Sequence, residues 1–401
     1  MALSSRGLSI TGAVRSAFRT KRVAIGLLWA AVAFAAHRAP AQQDWRPEKT
    51  WLFAVGVLEW KDGKDWPAME SAKKDRRDVQ LVEHFKAQGV PESRVAYLQD
   101  RHATLRRINT ALEDMLSKTA PGDTLILYYT GHGFRDRAKR RVYFANYDAT
   151  RGRDAWPVDE MFDTIERRFR GQQALLLADC CFSGALADEA LRRRSPIAFG
   201  CLCSSFSHNT STGNWTFTDL LLGGLRGSPL ADENGDRVIE WEELGRWSMR
   251  EMAFIERQKA VFATGNQFDP RFKLAPARGT RTGRSGEHVE VQWQNKWYRA
   301  QVLGSRGEEL KVHYVGYADS WDEWVPPERV RPFRPPGFKP GSPVSVKWEG
   351  QWYPATVRRA WYGLHLVHYD NYSNEWNEWV GPDAIKERSP SKQPAHGHEP
   401  E

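Results

Sequence analysis

Tyr129-Thr130-Gly131-His132-Gly133 and Asp179-Cys180-Cys181-Phe182-Ser183-Gly184 decide how this chain is read. An apolar, strand-like run leads into each: Thr124-Leu125-Ile126-Leu127-Tyr128-Tyr129 before the first, Ala174-Leu175-Leu176-Leu177-Ala178 before the second. Unbroken apolar runs of this length suit strands buried on both faces, as in a parallel sheet. Two neighbouring parallel strands end at the same edge, where open α/β sheets bind ligands, so His132 and Cys181 are expected side by side. A thiol beside an imidazole is a nucleophile with its base, and a spacing of about 50 residues between the histidine and the later cysteine is a known arrangement for that pair.

Outward from this pair the pattern alternates. Strand-like segments at Trp51 to Leu58, Arg94 to Leu98, Ile197 to Ser205 and Lys259 to Thr264 flank the two central strands. Helical spacing runs through Val79, Val82, His84 and Phe85, through Leu105, Ile108, Leu112 and Met115, and from Val158 to Phe169, with a hairpin at Arg141 to Asn146. Six strands with helices between them predict one α/β domain over 48–277, mainly parallel.

The 401 residues allow two or three domains, and 41% hydrophobic with 27% charged residues is a globular balance. A net charge of +8 without a dense basic tract argues against a specific nucleic-acid partner. Four cysteines cannot staple a chain of this size, and the Cys-Cys and Cys-x-Cys spacings suit no structural zinc site. Cys180, Cys201 and Cys203 read as core thiols, with a disulfide as the alternative in an oxidising compartment provided Cys181 stays free. At the N-terminus, basic residues from Arg15 to Arg22 precede an apolar stretch from Val23 to Ala36, and Ala39-Pro40-Ala41 follows. That is the pattern of a signal peptide over 1–41, too short for an ordinary membrane span. Export to a periplasm, envelope or exterior is expected; membrane anchoring follows only if the segment stays uncleaved.

Beyond a polar linker at 278–285 the chain repeats itself at a fixed offset of 55: Trp293/Trp348, Tyr298/Tyr353, Tyr314/Tyr369, Tyr317/Tyr372, Trp321/Trp376, Glu323/Glu378 and Trp324/Trp379 among others. Nine of the 18 tryptophans lie in this part. The copies span 286–333 and 341–388, and a disordered tail is expected over 389–401.

The His132 and Cys181 motifs resemble those of the caspase superfamily, closest to metacaspases and bacterial caspase-like peptidases. The resemblance implies a cysteine endopeptidase needing no cofactor for its chemistry, with protein or peptide substrates. It places Cys181 as nucleophile, His132 as acid/base, and the backbone N–H groups of Gly133 and Cys181 as the oxyanion hole. Asp179 matches an acidic residue that binds a basic side chain, which implies cleavage after Arg or Lys. Asp75 or Asp78 is a candidate second pocket acid, and the sequence does not choose between them. Phe182 stands where the family commonly has His. Arg192-Arg193-Arg194 is a candidate loop for self-cleavage. The alternative is a caspase-fold scaffold that only binds.

Asp232 to Glu243 resembles an EF-hand loop, with Asp232, Asn234, Asp236 and Glu243 as candidate Ca2+ ligands. Arg237 stands where the sharp turn prefers Gly, and the plain alternative is an acidic turn capping a helix near Glu240. The repeats resemble chromo-barrel or Tudor-knot modules, small SH3-like β-barrels. That resemblance implies aromatic cages for a methylated or quaternary ammonium group, from Trp293, Tyr298, Tyr314, Tyr317 and Trp321 in one copy and Trp348, Tyr353, Tyr369, Tyr372 and Trp376 in the other. Trp297, Trp324, Trp352 and Trp379 are expected in the barrel cores.

Overall fold

The computed structural model describes residues 44–150, 154–207, 211, 213–279, 283–317, 319–333, 337–348, 350–361 and 364–388. The expected signal segment and C-terminal tail lie outside these. Among the described residues, no helix is long and apolar enough to cross a membrane.

A six-stranded sheet organises the first domain. From edge to edge its strands are Val261–Gly265, Ala198–Cys203, Gln173–Asp179, Thr124–Thr130, Thr50–Gly56 and Val95–Gln99. All neighbours pair in parallel except the Val261–Gly265 edge strand, which runs antiparallel. Every residue of the three central strands is buried, as their apolar runs require. Helices Arg77–Ala87, Thr216–Leu225 and Trp241–Ile255 cover one face, and Leu105–Ser117, Val158–Arg168 and Ala185–Arg192 the other. The expected strands and helices are all present within a few residues. Helices Ala185–Arg192 and Thr216–Leu225 are additions to the sequence reading. The expected hairpin is part of a small sheet made by Gly133–Asp136, Arg141–Phe144 and Trp156–Pro157.

Two five-stranded antiparallel barrels follow with the same strand order. Their strands run from His288–Trp293 to Val330–Pro332, and from Pro343–Trp348 to Ile385–Glu387. Each core is small and aliphatic: Val289, Val291, Ala300, Val302, Leu310, Val312 and Val325 in the first, with matching residues in the second. The expectation that four tryptophans fill these cores is corrected. Trp324 and Trp352 are exposed, and a cationic side chain lies over each of three rings: Arg331 on Trp297, Arg306 on Trp324 and Lys386 on Trp352. Strand alternation sends them to the outer face, where a basic stem and charge cover the ring better than solvent does. Trp379 packs instead with Phe254 and Leu364, at the junction with the first domain.

Both barrels dock on that domain. His288 stacks on Phe254, ring centroids 3.7 Å apart, and bonds to buried Glu251 through Nε2 at 3.1 Å. Asp383 of the second barrel takes Arg257 at 2.9 Å and Arg299 of the first barrel at 3.2 Å.

Candidate active site

The sheet register brings the two motifs together. Thr130 and Asp179 are Cα partners in adjacent parallel strands, and His132 and Cys181 each follow two residues later. The Thr130 hydroxyl donates to the Asp179 carbonyl at 3.2 Å across the strand ends. His132 and Cys181 line one cleft of about 270 Å3, shared with Asp179, Met69, Ser211 and Trp215.

His132 is held from several sides. Its ring lies 4.4 Å from Trp60 and 5.6 Å from Trp66, centroid to centroid. Each indole is anchored by donating to a backbone carbonyl, Trp60 to Ala145 and Trp66 to Ala149. His132 Nε2 lies 3.0 Å from the Pro67 carbonyl. A carbonyl only accepts, so Nε2 carries the hydrogen, and in the neutral ring Nδ1 keeps the lone pair. The contact fixes the ring's orientation and tautomer.

Around the thiol, the Ser211 amide donates to Cys181 Sγ at 3.1 Å. Burial pushes the Cys181 thiol above its ordinary value, and the N–H groups of Ser211, Cys181 and Gly133 draw it back. The thiol therefore rests protonated and needs a base to become nucleophilic. The amides of Gly133 and Cys181 thus favour the thiolate form of the sulfur. Phe182 takes φ 59°, a left-handed conformation uncommon for a bulky residue, which turns the chain sharply after the cysteine. A Cβ on Gly133 would meet the Cys181 carbonyl at 2.0 Å, so only glycine fits between the two motifs.

Asp179 is buried at the cleft, where Thr218 Oγ1 donates to it at 2.7 Å. Burial raises its carboxyl to about 6, against the hydroxyl groups of Thr218 and Ser204 that lower it. Neither candidate second acid lines the cleft. Asp78 is enclosed by Arg76 and Tyr97, each at 2.6 Å, while Asp75 is exposed and paired with Arg77 at 2.6 Å. Asp219, which the sequence reading omitted, pairs with Arg77 at 2.5 Å and its charge reaches Asp179. Pro67, Ser211 and Thr218 were also missed. Pro67 and Ser211 act through backbone groups, which leave no mark in a sequence.

Arg192-Arg193-Arg194 is only in part the open loop expected, with Arg192 and Arg194 exposed. Arg192 ends a helix, and Arg193 is bound by Asp163, Glu166 and Glu189 at 2.6 to 2.8 Å. The other cysteines, Cys180, Cys201 and Cys203, are buried free thiols.

The Asp232 to Glu243 loop turns its oxygens onto its own backbone. Asp232 accepts from the amides of Gly235 and Arg237, and Glu243 from those of Glu233, Asn234 and Glu240. Arg237 adopts φ 71°, the conformation the turn demands. Glu240 and Glu243 form a reciprocal capping box on helix Trp241–Ile255, the plain alternative weighed from sequence. Asp232, Asn234, Asp236 and Glu243 are not gathered as a ligand set: among the described residues no group of three or more His, Cys, Asp or Glu side chains is arranged to hold a metal.

The cage residues do assemble. In the first barrel Trp293, Tyr298, Tyr314, Tyr317 and Trp321 stand roughly at right angles, with centroids 5.8 to 6.3 Å apart, around an open space of about 260 Å3. The second barrel repeats the box with Trp348, Tyr353, Tyr369, Tyr372 and Trp376. There only about 10 Å3 is open, and Lys259 of the first domain is among the lining residues.

The fold is a caspase-like α/β domain joined to small β-barrels. Residues 66–256 match the caspase domain, a family of cysteine peptidases, and residues 284–332 match the Tudor-knot, described as the RNA binding activity-knot of a chromodomain. The chain thus carries a caspase domain followed by a Tudor-knot module, and its folded first domain extends past the caspase match at both ends. No curated protein matches the chain. Among solved structures, protein GSU0716 from Geobacter sulfurreducens is 14% identical over 58% of this chain and 98% of its own, with a TM-score of 0.39, too loose a likeness to bear on function.

Proposed function

We propose that the protein is an exported cysteine endopeptidase that cuts after Arg or Lys. The observation that carries this reading is one cleft lined by His132, Cys181 and a buried carboxylate, Asp179. Nδ1 of His132 takes the thiol proton as Cys181 Sγ attacks the peptide carbonyl, and the Gly133 and Cys181 amides receive the oxyanion. His132 then gives that proton to the leaving amine, and water releases the acyl group from sulfur. Asp179 holds the guanidinium or ammonium before the scissile bond. No metal enters these steps.

The first cage is proposed to take a methylated or quaternary ammonium group on a protein or peptide, by cation–π attraction backed by Glu323. Export rests on the basic and apolar N-terminal pattern, and sequencing of the mature N-terminus is expected to read from Gln42.

Fluorogenic peptides ending in Arg, Lys or Asp test the main reading. Hydrolysis of the Arg and Lys peptides is expected, falling by about three orders of magnitude or more in Cys181→Ala. Equal, negligible turnover in both proteins would favour a non-catalytic scaffold. Faster hydrolysis of the Asp peptide would overturn the role of Asp179. Titration of the first cage with a trimethyl-lysine peptide and with single-stranded RNA separates an ammonium reader from the role in the Tudor-knot description.

A further inference from the structure

A cation lines the second cage. Lys259 is buried, with Nζ 3.7 Å from the Phe206 ring centroid and 5.7 Å from that of Trp376, and it donates to the Trp376 carbonyl at 2.9 Å. At the cage floor, buried Glu378 accepts from the Tyr369 hydroxyl and feels the charge of Lys259. The first barrel differs at one telling position. Its floor carboxylate, Glu323, is paired by its own Arg329 at 2.7 Å. The residue matching Arg329 in the second copy is Ala384. The second cage therefore lacks the internal arginine and draws its positive charge from another domain. A buried carboxylate without such a partner is costly, so cage and lysine fit as a pair.

The same contact leads back to the nucleophile. Phe206, under Lys259, meets Trp376 edge to face at 4.9 Å. Beside it, Ser205 Oγ donates to the Cys180 carbonyl at 2.8 Å, and Ser205 and Ser183 bond to each other through hydroxyl and amide groups. The Phe206–Ser207 backbone is so close to the cysteine turn that a Cβ on Gly184 would lie 2.6 Å from the Ser207 nitrogen. Gln258, the neighbour of Lys259, donates to the Ser204 carbonyl.

We propose that the second cage is an internal lysine receptor whose ligand is Lys259, and that seating this lysine braces the turn that carries Cys181. An intramolecular ligand is present at high effective concentration, so the cage is closed to all but strong competitors. The inference stands on packing and does not require Cys181 to be catalytic.

Two measurements on the full chain test it. Under limited acetylation with an amine-reactive ester, read by peptide mass spectrometry, Lys259 is expected to react at least about tenfold more slowly than solvent-exposed Lys118, and to lose this protection in Trp376→Ala. Alkylation of Cys181 by iodoacetamide is expected to speed up at least about threefold in Lys259→Met, and to stay unchanged in Tyr317→Ala of the first cage. Lys259→Met leaves every barrel residue in place; if it does not fold, Glu378→Gln is read the same way. Lys259 acetylated as fast as Lys118 in the wild-type chain, or Cys181 alkylation that does not rise when Lys259 is replaced, overturns the proposal.

Discussion

The two cages have the same five rings at the same offset, yet one is open and the other has almost no open space and a lysine of the first domain in its lining. Their rings do not explain this; their countercharges do. Arg329 neutralises the first floor carboxylate from within, and holds Glu323 below the usual carboxylate range. Glu378 is pushed upward by burial, with Lys259 and the Tyr369 hydroxyl pulling against that shift. Asp179 in the cleft is a third case, a buried carboxylate raised in the same way and proposed above to meet a substrate cation. The comparison teaches that a repeated sequence does not imply a repeated task, because the deciding partner lies outside the repeat.

The largest expected effect strikes the carboxylate without a resident cation. Asp179→Asn is expected to lower kcat/KM for Arg and Lys peptides about a hundredfold, with a short neutral-residue peptide affected far less. The same substitution is expected to raise stability near neutral pH by about 1–3 kcal/mol, seen as a higher Tm, because the folded carboxyl sits at about 6, above its ordinary 3.8. The sign follows from the direction of that shift: a raised carboxyl favours folding while protonated, so its contribution is lost as pH climbs between those values.

Next comes the difference between the cages. Tyr317→Ala is expected to weaken trimethyl-lysine peptide binding about tenfold, while Tyr372→Ala leaves it unchanged, as calorimetry would read. One peptide per chain is expected in the wild type; two would mean that Lys259 does not close the second cage. The smallest effect is on pH. kcat/KM for Arg peptides is expected to rise a few-fold as pH passes about 6 and Asp179 ionises, a step absent in Asp179→Asn. A profile identical in both proteins would remove Asp179 from substrate binding.

The sheet was largely legible because burial on both faces writes itself as unbroken apolar runs, and the strands around His132 and Cys181 are such runs. The cage residues were legible through the repeat. What escaped was whatever depends on contact between distant segments. Helix Thr216–Leu225 bunches three leucines in a row and buries seven of its ten residues, so it lacks a clean periodic face. Trp297, Trp324 and Trp352 look like core from composition, but the two-residue alternation of their strands points them outward. Lys259 looks like an ordinary surface lysine, since the cage that it lines begins some ninety residues later at Trp348.

The fit between Gly133 and the Cys181 carbonyl has one more consequence. A chain that kept His132 and Cys181 but placed alanine at 133 would have to push apart the two loops that present them. By an inventory of reacting side chains such a chain would pass as a competent enzyme, and it would fail at the bench. Surveys that sort active from inactive relatives of this protein should therefore score that glycine alongside the histidine and the cysteine.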